Sequence, residues 1–484
     1  MLVLHDAVVV GSGPNGLAAA VTLARAGWKV RVHEANDTIG GGARTLPLTL
    51  PGHLHDHCSA VHPLAIASPF FSELPLDAHG LRFVEPPIAC AHPFDDGTAA
   101  LLLRSIQDTG STLGADASAW ARLFDPLVHD FGALAREVLA PVVHLPRRPI
   151  VLARFGARAL LPARRLAELC FRGRRARALF AGVAAHGFQR LESAPTSAFG
   201  LLLGASAHAV GWPIPVRGAQ SISNALAALV ASSGGEIVTG ARVTSLDELR
   251  GARAVLLDVG PRQLLALAGA RLPPGYRHAL ARFRYGPGAF KVDYALSAPI
   301  PWRASECGRA GTVHLGGTLP EIAAAERETA AGHMPARPFV LVSEPTSFDP
   351  SRAPAGRHVA WAYCHVPHGF AGDATSALEH QIERFAPGFR DVVLARSVRS
   401  PADLERENVN LVGGDIGGGA TSLRQIVFRP VVRVNPWSTP IPGLYLCSAS
   451  TPPGAGVHGM CGYFAATTAL RRARRGERFD ARSA

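Results

Sequence analysis

Gly11-Ser12-Gly13-Pro14-Asn15-Gly16 stands between an apolar run, Ala7 to Val10, and a helix-forming stretch, Leu17 to Ala26. No other feature of the chain narrows the fold as much. Three glycines at this spacing serve a strand that turns sharply into a helix whose N-terminus meets a pyrophosphate: the first permits the turn, the second lets backbone approach the phosphates, and the third packs helix on strand. The free amides and positive dipole end of the helix supply the attraction. Pro14 suits the first helical turn and Gly27 the helix end. Lys29 to Glu34 reads as a second strand, closed by Glu34, where a carboxylate accepts ribose hydroxyls.

The remaining 450 or so residues must house more than this unit, and a chain of 484 residues exceeds what one core usually supports, so two domains are expected. A helix at Ser221 to Ala231 with strands at Glu236 to Val243 and Ala254 to Val259 continues the parallel-sheet pattern. The apolar strand Gly443 to Cys447, the Gly/Pro loop Ser448 to Gly459 and the helix Tyr463 to Arg475 close it. Between these lie helical segments from about Ser118 to Arg190 and alternating strands at Ala289 to Leu296, Phe339 to Ser343 and Arg357 to Tyr363. That alternation predicts an antiparallel sheet with one covered face. The expected architecture is α/β: a Rossmann-type dinucleotide domain assembled from three chain segments (1–80, 210–275 and 405–484), with a mixed α+β substrate domain (81–209 and 276–404) inserted twice.

No apolar run approaches the roughly 18 residues needed to cross a bilayer, and Asp6 precedes a strand rather than a secretory signal, so a cytoplasmic protein is expected. Seven cysteines, scattered and never spaced CxxC, argue against a disulfide framework, a zinc site or a dithiol redox centre. No metal site is expected. Much of the +12 net charge sits at Arg147, Arg148, Arg154, Arg158, Arg164, Arg165, Arg172, Arg174, Arg175 and Arg177, interleaved with leucine and phenylalanine. Two readings stand side by side: a basic amphipathic element touching anionic lipid, or a solvated helical face. No nucleic-acid motif accompanies the charge, and the sequence does not fix an oligomeric state.

Ile39-Gly40-Gly41-Gly42-Ala43-Arg44, just downstream of Glu34, resembles the double-glycine motif of FAD proteins in the amine oxidase and phytoene desaturase superfamily. "GLYLCSASTPPGAGVHGMCGYFAATTAL" resembles the final strand, loop and helix of phytoene desaturase-like proteins, with Ser448 and Ala455 standing where glycine is usual, and "PVRGAQSISNALAALVASSGGEI" resembles their middle segment. The resemblance implies FAD as cofactor, with Gly11, Gly13, Pro14, Asn15, Gly16, Glu34, Gly41, Gly42, Ala43, Arg44, Val243, Ser448, Gly456, Val457 and His458 along it. The last helix would point its N-terminus at the flavin's pyrimidine edge, stabilising negative charge there.

Lys291 is one of only two lysines among 49 basic side chains. It lies in "GAFKVDY", where Phe290, Val292, Tyr294 and Leu296 share one strand face and Lys291 and Asp293 the other. Its placement resembles that of a lysine which holds a water near flavin N5 in many amine oxidase superfamily enzymes, a role arginine's broad fork cannot fill. The resemblance implies an oxidoreductase passing hydride from a substrate C–H bond to the flavin, and the few carboxylates of the inserted domain favour a hydrophobic small-molecule substrate. Desaturation, saturation and amine-type C–N oxidation stay open, as does a non-catalytic lipid-binding escort of the same fold.

Overall fold

The structure, a computed structural model, describes residues 5–480. Two sheets organise it. The first has five strands, all parallel, in the order Leu444–Leu446, Ala254–Leu257, Ala7–Val10, Val30–His33, Glu236–Val238. Adjacent residues of each strand feed opposite cores. Ala7 and Val9 join the cluster beneath the helices Pro14–Arg25, Gln220–Ser232 and Met460–Ala473, while Val8 and Val10 join Leu257, Leu264 and Leu446 on the other face. A parallel sheet covered on both sides reads as continuous apolar runs, and these strands do.

The second sheet has seven strands in the order Val393–Arg399, Gly288–Leu296, His358–Val366, Val340–Ser343, Ala310–Leu315, Ile88–Pro93, Ala99–Leu102. Every pairing is antiparallel except Ala310–Leu315 with Ile88–Pro93. The single covered face predicted from the alternation is corrected: every residue of Gly288–Leu296 is buried. Phe290, Val292, Tyr294 and Leu296 pack with Leu378, Ile382 and Phe385 of the helix Thr375–Phe385, while Ala289, Leu341, Trp361 and Tyr363 face a helical layer built around Trp120, Phe124, Phe180 and Leu201. The inserted helices fold back onto the face that alternation assigned to water.

Two further expectations change in detail. The strand predicted over Glu236 to Val243 ends at Val238, because Gly240 turns the chain in a left-handed conformation and the amides of Gly240 and Ala241 bond to the carbonyls of Asn36 and Glu34. The basic stretch is three helices, Pro149–Ala159, Ala163–Cys170 and Arg174–Ala185, rather than one element. Several of its arginines are tied internally: Arg164 to Glu168 and Glu192, Arg174 to Asp96, and Arg175 to the carbonyls of Ala99 and Thr112. Among the described residues no helix is long and apolar enough to cross a membrane.

Candidate functional site

A cavity of about 760 Å³ starts at the carboxyl ends of the parallel strands and reaches the buried face of the seven-stranded sheet. Its near end is backbone. Gly11, Gly13, Pro14 and Asn15 line it from the first loop, Gly41, Gly42 and Ala43 from the second, Val243 from the chain beyond Gly240, and Ser448, Gly456 and Val457 from the C-terminal loop. The loops interlock closely. A Cβ on Gly41 would lie 3.1 Å from Gly13 Cα, one on Gly16 2.1 Å from the Gly11 carbonyl oxygen, and one on Gly462 1.9 Å from the Asn15 carbonyl oxygen. Only glycine lets the N-terminal turns of Pro14–Arg25 and Met460–Ala473 converge on one spot.

Glu34 lines the cavity with both oxygens engaged. Oε2 accepts from the backbone N–H and hydroxyl of Ser12, Oε1 from the backbone N–H and side-chain amide of Asn36. A ribose diol can replace the two side-chain donors while the two backbone donors keep the carboxylate aimed. Ser448, the departure from glycine, donates its hydroxyl to the Val259 carbonyl and so fixes the loop to the adjacent strand.

Four expected residues do not line the cavity. Gly16 is the strand–helix contact just described, and its N–H donates to Asp258 Oδ2 at 2.9 Å. Arg44 is buried behind the second glycine loop, its Nε donating to the Gly41 carbonyl at 2.7 Å, so it braces that loop from below. His458 is fully buried, and its Nδ1 accepts the Met460 N–H at the first turn of the last helix; burial lowers its pKa to about 4. Lys291 is buried on the strand face it shares with the register neighbours Tyr363 and Arg399, and its ammonium is ion-paired with Asp293. Burial lowers its pKa, with Asp293 opposing.

Lys291 belongs to a buried chain of charges. Asp293 also pairs with Arg399, Arg399 reaches His57 Nδ1 at 3.0 Å, and His57 Nε2 lies 3.4 Å from Arg44. Both arginines only donate, and a neutral imidazole has a single acceptor nitrogen. Nδ1, at 3.0 Å the closer contact, is the acceptor for Arg399, and Glu407 Oε2 lies 3.3 Å from the same nitrogen without a hydrogen bond of its own. Burial, then the charges of Arg44, Arg399 and Lys291, hold the His57 pKa down to about 2, so the ring stays neutral.

Asp258 escaped the sequence reading. It follows the strand Ala254–Leu257, lines the cavity beneath the first glycine loop, and has its pKa raised to about 7, first by burial and further by Glu34, against the amides of Gly16 and Gly13. The available signal was an acid ending an apolar strand just before Gly260-Pro261. The run His53-Leu54-His55-Asp56-His57-Cys58 was a second signal, for the charge network. Asp415 accepts from the amides of Gly286, Gly417 and Gly419, which is turn construction.

The far end of the cavity is side chain: Leu203, Trp212, Leu341, Trp361, Tyr363 and Ile416, with His186 and Thr312 among them. All the carboxylates on the cavity wall, Glu34, Asp258, Glu405 and Glu407, belong to the near-end segments.

This arrangement fits FAD. Two glycine-rich loops meet a helix N-terminus, a carboxylate able to accept ribose hydroxyls stands at the second strand end, and Asn15 Oδ1, on the cavity wall, has no partner. The volume lies within the range of cofactor and ligand sites.

The family described as "NAD(P)-binding Rossmann-like domain" matches residues 9–73, which span both glycine loops. Pyridine nucleotide-disulfide oxidoreductase domain-containing protein 2 of Mus musculus is 29% identical, covering 96% of this chain and 93% of the relative. Hydroxyneurosporene desaturase of Cereibacter sphaeroides is 27% identical, covering 94% and 95%. Among solved structures, an oxidoreductase from Methanosarcina mazei superposes with a TM-score of 0.64 at 17% identity, covering 96% of this chain and 99% of that one. Putrescine oxidase does so with 0.60 at 19%, covering 97% and 99%. All seven cysteines here are free thiols. Glycine loops, fold and full-length relatives converge: the chain is an FAD-dependent oxidoreductase on the fold shared by phytoene desaturase-like enzymes and amine oxidases.

Proposed function

We propose that the protein is a dehydrogenase that removes hydride from a C–H bond of a small apolar substrate. One observation carries this reading: the far end of the cavity is walled by Leu203, Trp212, Leu341, Trp361, Tyr363 and Ile416, and no carboxylate reaches it. A substrate ammonium ion would lose its hydration there without a counter-charge, which disfavours amine oxidation. The end-to-end relationship to a desaturase supports carbon–carbon dehydrogenation. Bound FAD supplies the hydride acceptor. The chain's residues do the rest: the glycine loops and the helix at Met460 hold the cofactor, Glu34 takes its ribose, and the aromatic end excludes water and orients the substrate.

Lys291 is the proton-handling group of this proposal. Its ammonium sits behind the cavity wall, 5.8 Å from the Trp361 ring and paired with Asp293, and a compact charge there can hold a water that the broad fork of Arg399 cannot. The dinucleotide-binding segments 1–80, 210–275 and 405–484 and the substrate segments 81–209 and 276–404 divide the work, in a cytoplasmic setting that suits seven free thiols.

Peripheral contact with anionic lipid is a further part of the reading. Val143, Leu145 and Ile150 are 71%, 93% and 73% exposed beside Arg147 and Arg148, an apolar tip flanked by cations. Salt-sensitive co-sedimentation with phosphatidylserine vesicles, weakened in Leu145→Glu, tests it; equal behaviour toward neutral vesicles contradicts it. The dehydrogenase reading is tested by anaerobic mixing of the yellow holoprotein with apolar alkene and alkane candidates. Bleaching of the flavin bands with a new double bond in the product is expected, whereas bleaching by primary amines alone would overturn it.

A further inference from the structure

Deep in the far end, His186 follows the helix Arg174–Ala185, and its Nε2 lies 3.1 Å from His314 Nε2 on the neighbouring strand Ala310–Leu315. Burial lowers the His186 pKa to about 3 and that of His314 well below its ordinary value, so both rings are neutral. One must donate to the other. His314 Nδ1 is buried without a partner. A buried N–H left unmatched is rarer and costlier than a bare acceptor, so His314 carries its proton on Nε2 and donates it to His186. His186 then carries its own proton on Nδ1. That atom belongs to a side chain that is only partly buried and lies on the cavity wall, where the N–H is available to a ligand.

The surroundings narrow what Nδ1–H can meet. The Trp212 indole N–H, edge-on to His186, is already spent on the Thr312 hydroxyl at 2.9 Å. The Tyr363 side chain is also on the wall, and its hydroxyl can donate as well. Phe188 stacks on Tyr363 with an interplanar angle of 5° and does so from a backbone φ of +52°, which L residues rarely adopt. An element held in that conformation just past His186 is fixed by its packing, not by local preference. Two neutral donors in a largely apolar chamber, whose nearby buried carboxylate Glu326 is engaged by His365 Nδ1 at 2.7 Å, match a neutral oxygen acceptor.

We propose that His186, set by His314, is the specificity-determining residue of the cavity and binds a carbonyl or hydroxyl oxygen on an otherwise apolar substrate. This rests on the reading of the far end as the substrate site. It narrows the substrate from a hydrocarbon to an oxygen-bearing apolar molecule, with its oxygen at His186 and its chain along Leu341 and Trp361.

The test uses holoprotein and three probes of one chain length: 2-dodecanone, dodecane and dodecylamine. Binding is read as quenching of tryptophan fluorescence, to which Trp212 and Trp361 contribute from the cavity wall. The ketone should bind roughly tenfold tighter than the alkane. His186→Phe should erase that preference while flavin content stays within about twofold, and His186→Gln, which restores an N–H donor, should recover it. Ketone and alkane binding equally to the wild type, a preference that survives in His186→Phe, or dodecylamine binding tightest would each overturn the proposal. If His186→Phe does not fold, equal ketone and alkane binding by the wild type still overturns the proposal, and His186→Gln carries the variant comparison. Failure of all three probes to bind would overturn the substrate-site reading as well.

Discussion

The two ends of the cavity are made of different material. At the near end the recognising groups are backbone amides and gaps left by absent Cβ atoms, and the tolerances are set by contacts such as Gly16 against the Gly11 carbonyl. At the far end they are side chains from distant segments, His186, Thr312, Leu341 and Tyr363, brought together only by the tertiary fold. The difference explains how one scaffold keeps a cofactor while changing its substrate: the near end admits almost no substitution, and the far end can be rewritten residue by residue.

The sharpest way to break the comparison is Gly16→Ala. Its Cβ would lie 2.1 Å from a backbone oxygen that has nowhere to go. We expect FAD affinity to fall by about a hundredfold or more, with about 3 kcal/mol of stability lost. Ile416→Ala, at the far end, should keep the flavin and weaken apolar ligands by only severalfold. Fluorescence titration of free FAD into both apoproteins measures the contrast, and equal flavin retention would erase it.

Lys291 lies between the two regimes. Lys291→Met leaves Asp293 paired with Arg399, so folding and flavin content should survive. Reduction by substrate or reoxidation by oxygen should slow by about 10² to 10⁴. Lys291→Arg should fail nearly as badly, because charge is kept but compactness is not. Stopped-flow reoxidation of the photoreduced variants reads this before any substrate is known, and wild-type rates in both half-reactions would remove Lys291 from the chemistry.

A smaller effect sharpens the near end. The Asp258 carboxyl has an ordinary pKa of 3.8 and is held near about 7 in the folded protein, chiefly by burial. The folded state therefore binds this proton more tightly than the unfolded chain. The stability it contributes is complete below the unfolded value and is lost as pH rises through the folded one, a change of a few kcal/mol. Asp258→Asn keeps an acceptor for Gly16 N–H without titrating. Between about pH 4.5 and about pH 8 wild-type apoprotein should lose stability relative to this variant in urea unfolding, and parallel profiles would show that Asp258 is not perturbed.

What could be read from the chain follows the same division. Glycine spacing and a terminal glutamate encode a backbone site locally, so the parallel sheet, both loops and Glu34 were visible in sequence. Lys291 stood out by rarity and Asp293 by its two-residue spacing, but Arg399 and His57 reach them only through strand pairing and loop closure. His186 sits in an unremarkable alanine-rich helix end, and its partner lies 128 residues away. The single basic element was divided by Pro162 and Gly173, punctuation present in the sequence and outweighed there by charge density.

If both ends belong to one chamber, an apolar ligand at the far end touches the flavin held at the near end. Titrating holoprotein with 2-dodecanone while recording the flavin absorption bands and tryptophan fluorescence together tests it directly. A saturable shift of the flavin bands is expected at the same ligand concentrations that quench the tryptophans. Tryptophan quenching that saturates while the flavin spectrum stays unmoved would contradict it.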